Sequence, residues 1–245
     1  MCKNESALDR LILIMGEERV SILSRACVCV LGLGGVGSSC AEALARGGIG
    51  RLILIDRDVV APSNINRQAL AFTSTLGQPK ATVMHRMVKD INPEAEVWSA
   101  SIFLEKNRID EQMSEYPRPD YVVDAIDTVS QKLAVAQWCS QEQIPLVSSM
   151  GGANKLDPTR LRFSRIENTH GDALARIVRK ECRKRGIRNL QVLYSDESSR
   201  PVATPAGTHE GGRPAKGETL GTMSYYPPIM GQMLASRVIR DLVGL

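Results

Sequence analysis

The sequence predicts an α/β protein with a Rossmann-like, mostly parallel sheet and helices on both faces, followed by a C-terminal extension with extra strands and a basic helix. Three observations predict it. Short apolar runs alternate with segments of helical period as far as Ser148. The run Val28-Cys29-Val30-Leu31 feeds into Gly32, Gly34, Gly35 and Gly37, the pattern of a buried strand turning into a phosphate-facing helix. A second run, Leu52-Ile53-Leu54-Ile55, ends on Asp56, where such folds carry an acid for a ribose hydroxyl.

In chain order, two short helical stretches at 7–14 and 17–24 meet at Gly16, and the first strand spans 27–31. A helix at 38–46 leads to a strand at 52–55, and a helix at 78–91 to a strand at 96–100. A strand at 120–124, a helix at 128–143 and a strand at 145–148 continue the rhythm. This alternation covers both sheet faces with helices and places ligands outside the carboxyl ends of the strands. Beyond it come a strand at 160–165, a basic helix at 172–185 and a strand at 190–194. Residues 195–221, rich in Pro, Gly, Ser and Thr, read as a mobile loop over the site, and 225–245 as an amphipathic docking helix. The domain division is 1–165 for a nucleotide-binding core with N-terminal helices and 166–245 for the extension.

Composition narrows the classes. With 245 residues and 43% apolar content the chain builds a substantial core and is not disordered. A net charge of +4 permits a nucleic-acid partner without demanding one. No run of about 18 apolar residues marks a membrane span. The cysteines at 2, 27, 29, 40, 139 and 182 fall mostly in buried-type elements, and no segment resembles a secretion signal, which implies a reducing cytoplasm. Cys27 and Cys29 share one face of a strand and lack a second pair for zinc, so they read as packing.

The glycine loop with Asp56 suits a dinucleotide cofactor as well as a nucleoside triphosphate. The residues that follow separate the two. Arg67 and Lys80 come after the second strand and at a helix start that Pro79 fits. A triphosphate needs such fixed cations while its α-phosphorus is attacked; solvated surface positions are the plain alternative. Asp127 sits just beyond a buried strand, where a carboxylate can ligate Mg²⁺ between phosphate oxygens or simply cap a helix. Asp124, nearer the strand interior, reads as structural.

Ordered along the chain are the glycine loop, Asp56-Arg57-Asp58, Ser63-Asn64-Ile65-Asn66-Arg67-Gln68, Gly77-Gln78-Pro79-Lys80 and Asp124-Ala125-Ile126-Asp127. In these the chain resembles the adenylyltransferase superfamily of ubiquitin-activating enzymes and the bacterial sulfur-carrier activators of molybdopterin and thiamine synthesis. The resemblance implies an ATP site in which Gly32, Gly34, Gly35, Gly37, Asp56 and Asp58 surround the nucleotide. It further implies that Asp56 holds the ribose, that Asn64, Arg67 and Lys80 hold phosphates, and that Asp127 holds Mg²⁺. Arg10 would reach into a neighbouring subunit's site as an arginine finger, which implies a homodimer.

Two CxxC zinc pairs, usual in sulfur-carrier activators, are absent, and 195–221 contains no cysteine for a thioester. The segments Ser148–Thr159, Val178–Ile187 and Gly221–Tyr225 instead resemble the bacterial tRNA threonylcarbamoyladenosine dehydratases. That resemblance implies activation of the threonyl carboxylate of the modified adenosine as an acyl-adenylate, then ring closure with loss of AMP and, overall, of water. Arg176, Arg179, Lys180, Arg183 and Lys184 crowd one helix, a density suited to a tRNA backbone or to a solvated helix face. A sulfur-transfer protein is a further candidate partner. Activation of a small sulfur-carrier or ubiquitin-like protein and nicotinamide-dependent redox chemistry are the rival activities. His209 and Tyr225 are candidates for the substrate pocket.

Overall fold

The computed structural model describes residues 5–200 and 220–245. Its elements in order are α1 (Asp9–Met15), α2 (Glu17–Arg25), β1 (Cys27–Leu31), α3 (Gly35–Arg46), β2 (Arg51–Ile55), α4 (Lys80–Ile91), β3 (Glu96–Ala100), α5 (Ile109–Met113), β4 (Tyr121–Asp124), α6 (Val129–Gln141), β5 (Leu146–Ser149), β6 (Leu161–Arg165), α7 (Ala173–Arg185), β7 (Gln191–Ser195) and α8 (Tyr226–Val243). The seven strands form one sheet in the order β3-β2-β1-β4-β5-β7-β6, in which only the β6–β7 pair is antiparallel. Chain order therefore reverses between β1 and β4, whose carboxyl ends, Leu31 and Asp124, stand side by side. A crevice opens there because the crossovers from the two strands leave in opposite directions.

The sheet is covered as the alternating apolar runs require. On one face Val28, Val30, Leu52 and Leu54 pack under α3, α4 and α8; on the other Cys27, Cys29, Ile53 and Val122 pack under α5 and α6. Every residue of β1 is buried, as a central strand between two helical layers demands. A third cluster, with Val178 and Cys182 of α7 and Val192 and Tyr194 of β7, joins the extension to α6. β7 enters the sheet between β5 and β6, so the extension completes the sheet of the core.

Several expectations shift. The first crossover helix begins at Gly35, not residue 38, because glycines carry no apolar period to reveal a helical turn. The five-residue α5 carried no recognisable signal. The tail does form a helix, but it is a core element: Tyr226, Met230, Leu234 and Val238 are fully buried against α3. A β-carbon on Gly231 would lie 2.3 Å from the Val36 carbonyl oxygen, so the two helices touch backbone to backbone. The loop expected from residue 195 begins at 196, and its first residues are held against the core. Ser195 ends β7, and the buried Glu197 carboxylate accepts the N–H groups of Leu156 and Asp157 at 2.9–3.1 Å. The remainder of that expected loop, 201–219, and His209 with it, lies outside the described residues.

Candidate functional site

At the crevice lies a cavity of about 380 Å³. Nine of the residues singled out in the sequence line it: Gly32, Gly34, Gly35, Asp56, Asp58, Asn64, Arg67, Lys80 and Asp127. Gly37 and Arg10 do not.

The glycines serve different ends. Gly32 takes φ +83°, a left-handed turn that carries the chain out of β1, and a β-carbon there would meet the Ala125 carbonyl at 2.8 Å. Gly34 has open space where a side chain would stand, which leaves backbone at the cavity wall. Gly37 faces inward: its β-carbon would lie 1.7 Å from the Gly32 carbonyl oxygen, so it sets helix-to-loop packing and not ligand contact. The first i→i+4 bond of α3 runs from the Ser38 N–H to the Gly34 carbonyl, and no side chain caps the helix. The preceding N–H groups thus have no intrahelical acceptor and form an anion-seeking pole.

Asp56 holds this loop in shape. One carboxylate oxygen accepts the Leu33 N–H at 2.5 Å and the other the Asp58 N–H at 2.7 Å. Asp58 in turn pairs with the buried Lys80, Nζ to Oδ2 3.3 Å, while its carbonyl accepts the Lys80 N–H at 3.0 Å. A short antiparallel bridge between Val59 and Pro79 closes the intervening loop and delivers Lys80 to the cavity floor. Arg67 is steered by bonds from its guanidinium to the Ser63 carbonyl and to Asn66, both 2.9 Å. Asn64 is turned inward, accepting the Ala61 N–H at 3.0 Å.

Asp127 precedes α6, whose N-cap is Thr128, and is not itself the cap. Its exposed carboxylate accepts one bond, from the Thr128 hydroxyl at 3.2 Å. Asp124 behaves otherwise: fully buried, it pairs with Lys132 at 3.0 Å and accepts from Ser148 at 2.6 Å, tying β4 to α6 and β5. Arg10 stands exposed on α1, away from this chain's own cavity.

Of the α7 cations, Arg176, Lys180 and Arg183 project to solvent. Lys184 is exposed but pairs with Glu181 at 2.7 Å, and Arg179 is half-buried with its guanidinium on the carbonyl and hydroxyl of Thr169 at 2.5 and 2.7 Å. The helix is framed by Asp172, whose carboxylate caps the Ala175 N–H, and by Gly186 in the left-handed conformation.

Of the other residues that line or brace the cavity, only Tyr225 was singled out in the sequence. Ser38 donates to the Gly34 carbonyl and accepts the Ala69 N–H, stapling the Arg67 turn to α3. Phe103, one of only three phenylalanines, lies after β3 with the Arg57 guanidinium 4.8 Å from its ring centre. Thr222 brings the extension into the cavity wall beside Ala153 of the core, and the Asn66 side chain donates to the Thr222 carbonyl at 3.1 Å. Tyr225 donates to the Leu156 carbonyl at 2.9 Å and so pins that wall.

Among the described residues no cluster of three or more His, Cys, Asp or Glu could hold a metal ion by itself, and no helix is long and apolar enough to cross a membrane.

The model of the ThiF family matches residues 8–245. The chain is similar to the tRNA threonylcarbamoyladenosine dehydratase of Bacillus subtilis, 41% identical over 236 residues, covering 94% of this chain and 92% of that protein. To the Escherichia coli protein of the same name it is 40% identical over 166 residues, or 68% of this chain and 61% of that one. The solved structure of E. coli tRNA N6-threonylcarbamoyladenosine dehydratase in complex with ATP aligns with a TM-score of 0.85 at 30% identity, covering 97% of this chain and 94% of that one.

Proposed function

We propose, from the premise that this chain belongs to the ThiF family and within it to the tRNA threonylcarbamoyladenosine dehydratases, that it uses ATP to dehydrate and cyclise threonylcarbamoyladenosine in tRNA. The observation that carries the reading is the meeting of Asp56, Lys80, Arg67, Asp127 and the open pole of α3 around one cavity at the sheet's reversal point.

ATP lies with its phosphates at the α3 pole and its ribose toward Asp56. Lys80 and Arg67 hold the β- and γ-phosphates, so negative charge on departing pyrophosphate is met by cations already in place. Asp127 fits Mg²⁺, which takes one or two carboxylates together with substrate phosphates and water and needs no all-protein cage. Bound there, Mg²⁺ would neutralise charge on phosphate oxygens. The threonyl carboxylate attacks the α-phosphorus and pyrophosphate leaves, which makes AMP the leaving group of the acyl-adenylate. The carbamoyl group of the same nucleoside then attacks the activated carbonyl, AMP departs, and the ring closes. Because that nucleophile is tethered within the substrate, proximity supplies much of the acceleration and no enzyme nucleophile is needed. The described cysteines agree with this, all five being buried.

We assign activation to residues 1–165 and tRNA holding to 166–245, with Arg176, Lys180 and Arg183 on the phosphate backbone and Arg179 and Lys184 in support. Arg10 completes the site of a second copy in a homodimer. Its position outside its own cavity agrees with that role.

Labelled ATP with tRNA bearing the modified nucleoside tests the reading: AMP and a cyclised nucleoside are expected, and ADP as sole product would refute it. Activation of a small carrier protein is the other reading. It predicts that pyrophosphate exchange into ATP depends on a Gly-Gly-ended protein and not on tRNA.

A further inference from the structure

Asn66 does not line the cavity, yet it joins Arg67 to the extension. Its Oδ1 accepts the Arg67 Nη1–H at 2.9 Å, and its Nδ2 donates to the Thr222 carbonyl at 3.1 Å. A guanidinium can only donate and a carbonyl can only accept, so both partners demand the same orientation of the amide. Thr222 is held in turn through its neighbour. The Gly221 carbonyl accepts the Asn154 N–H at 2.9 Å, and the Gly221 N–H donates to Asn154 Oδ1 at 2.8 Å. Asn154 stands in the left-handed region at φ +58°, which asparagine tolerates better than most residues. A β-carbon on Gly221 would lie 3.2 Å from Asn154 Oδ1, so the two approach closely. One line of hydrogen bonds thus runs from the loop after β5, through the extension, to the Arg67 guanidinium.

We propose that Asn66 is a positioning residue for adenylation: braced through Asn154, it lets the extension set the direction of the Arg67 guanidinium. The inference rests on the nucleotide reading of this cavity. Both polar contacts of the guanidinium, to Asn66 and to the Ser63 carbonyl, are made by Nη1. The Nε–Nη2 edge has no partner among the described residues, and such an edge is the fork that grips two phosphate oxygens. The stem is settled separately, since a β-carbon on Gly35 would lie 3.3 Å from Arg67 Cγ, against the first turn of α3. What remains is rotation of the guanidinium plane. Ser63 holds it at one point and Asn66 at a second, and two points fix it. Attraction of the charge for ATP depends little on that rotation, whereas alignment on departing pyrophosphate depends on it strongly.

Asn66→Ala keeps the Arg67 charge and frees its direction. Release of AMP from Mg-ATP with tRNA bearing the modified nucleoside is expected to fall by about tenfold or more in kcat. The Kd for Mg-ATP by calorimetry should change by less than about threefold, because the cation is still present. Arg67→Lys separates positioning from a plain structural role, since lysine carries the charge without the fork. In that background the kcat loss from Asn66→Ala should shrink to less than about twofold, as for residues acting through one another. Asn154→Gly retains the left-handed backbone and removes the amide; it should lower kcat as well, and no further once residue 66 is Ala. Wild-type kcat in Asn66→Ala, or an equal fold-loss in the wild-type and Arg67→Lys backgrounds, overturns the proposal. If Asn66→Ala does not fold, Asn154→Gly carries the same comparison against Arg67→Lys. Absence of AMP release by the wild-type chain would sink the nucleotide reading, and the proposal with it.

Discussion

Lys80 and Lys132 are both buried lysines paired with an aspartate, and they differ in what their removal leaves behind. Lys132 faces Asp124 with both side chains almost wholly enclosed, so Lys132→Ala strands a carboxylate in the interior. Loss of about 3–5 kcal/mol is expected, measured by urea unfolding. Lys80 faces Asp58, whose side chain is 56% exposed and finds water when the lysine is gone. Lys80→Ala is therefore expected to cost less stability than Lys132→Ala, since no charge is left buried. Its adenylation rate should fall by orders of magnitude, because a phosphate cation has been taken from the transition state. Wild-type turnover in that variant or in Asp127→Ala would remove the residue from the site. The thiols give a third expectation. Burial pushes Cys27 and Cys182 up to about 11, so at neutral pH they remain protonated, and Cys29, Cys40 and Cys139 are raised further for the same reason. Iodoacetamide at pH 7.5 should modify none of these five in the native protein, as read by mass spectrometry, and all of them after unfolding.

At the scale of elements, α8 and α7 show how far periodicity carries. Arg237, Arg240 and Asp241 mark α8 as amphipathic, but not that its apolar stripe is a core wall. That follows from Gly231, which lets α8 settle onto α3, and nothing in the residues near Gly231 names α3 as its partner. Gly231→Leu is expected to cost about 1–3 kcal/mol by overpacking this contact, seen as a lower melting temperature. For α7 the density of cations was legible, whereas their division was not. Arg179 is drawn to Thr169, a residue outside the helix, and Lys184 to Glu181, three positions earlier. Replacing Arg176, Lys180 and Arg183 together by Ala should weaken tRNA binding and flatten its salt dependence, with the slope of log K against log salt falling by about 2–3. An unaltered slope would place the tRNA elsewhere.

For the whole molecule, strand order reverses between β1 and β4, where the cavity lies, and Arg10 stands outside that cavity. If Arg10 acts across a homodimer, inactive Arg10→Ala and Lys80→Ala proteins regain activity when mixed and allowed to exchange subunits. The mixed dimer contains one complete site, so recovery of about one quarter of wild-type activity is expected from statistical pairing. No recovery, with exchange demonstrated, would confine Arg10 to its own chain or to no role.

Legible in the residues alone were the α/β class, the elements of the parallel core to within a few residues except α5, and most of the segments that meet at the cavity. Those features are written in local terms: apolar period, glycine spacing, and charged residues at fixed distances from strand ends. Not legible there were that Gly37 packs inward while Gly34 faces the cavity, that Asp124 is locked with Lys132, and that β7 slots between β5 and β6. Each of these depends on which distant segment comes to lie alongside, and such proximity is fixed by three-dimensional packing and not by any neighbourhood along the chain.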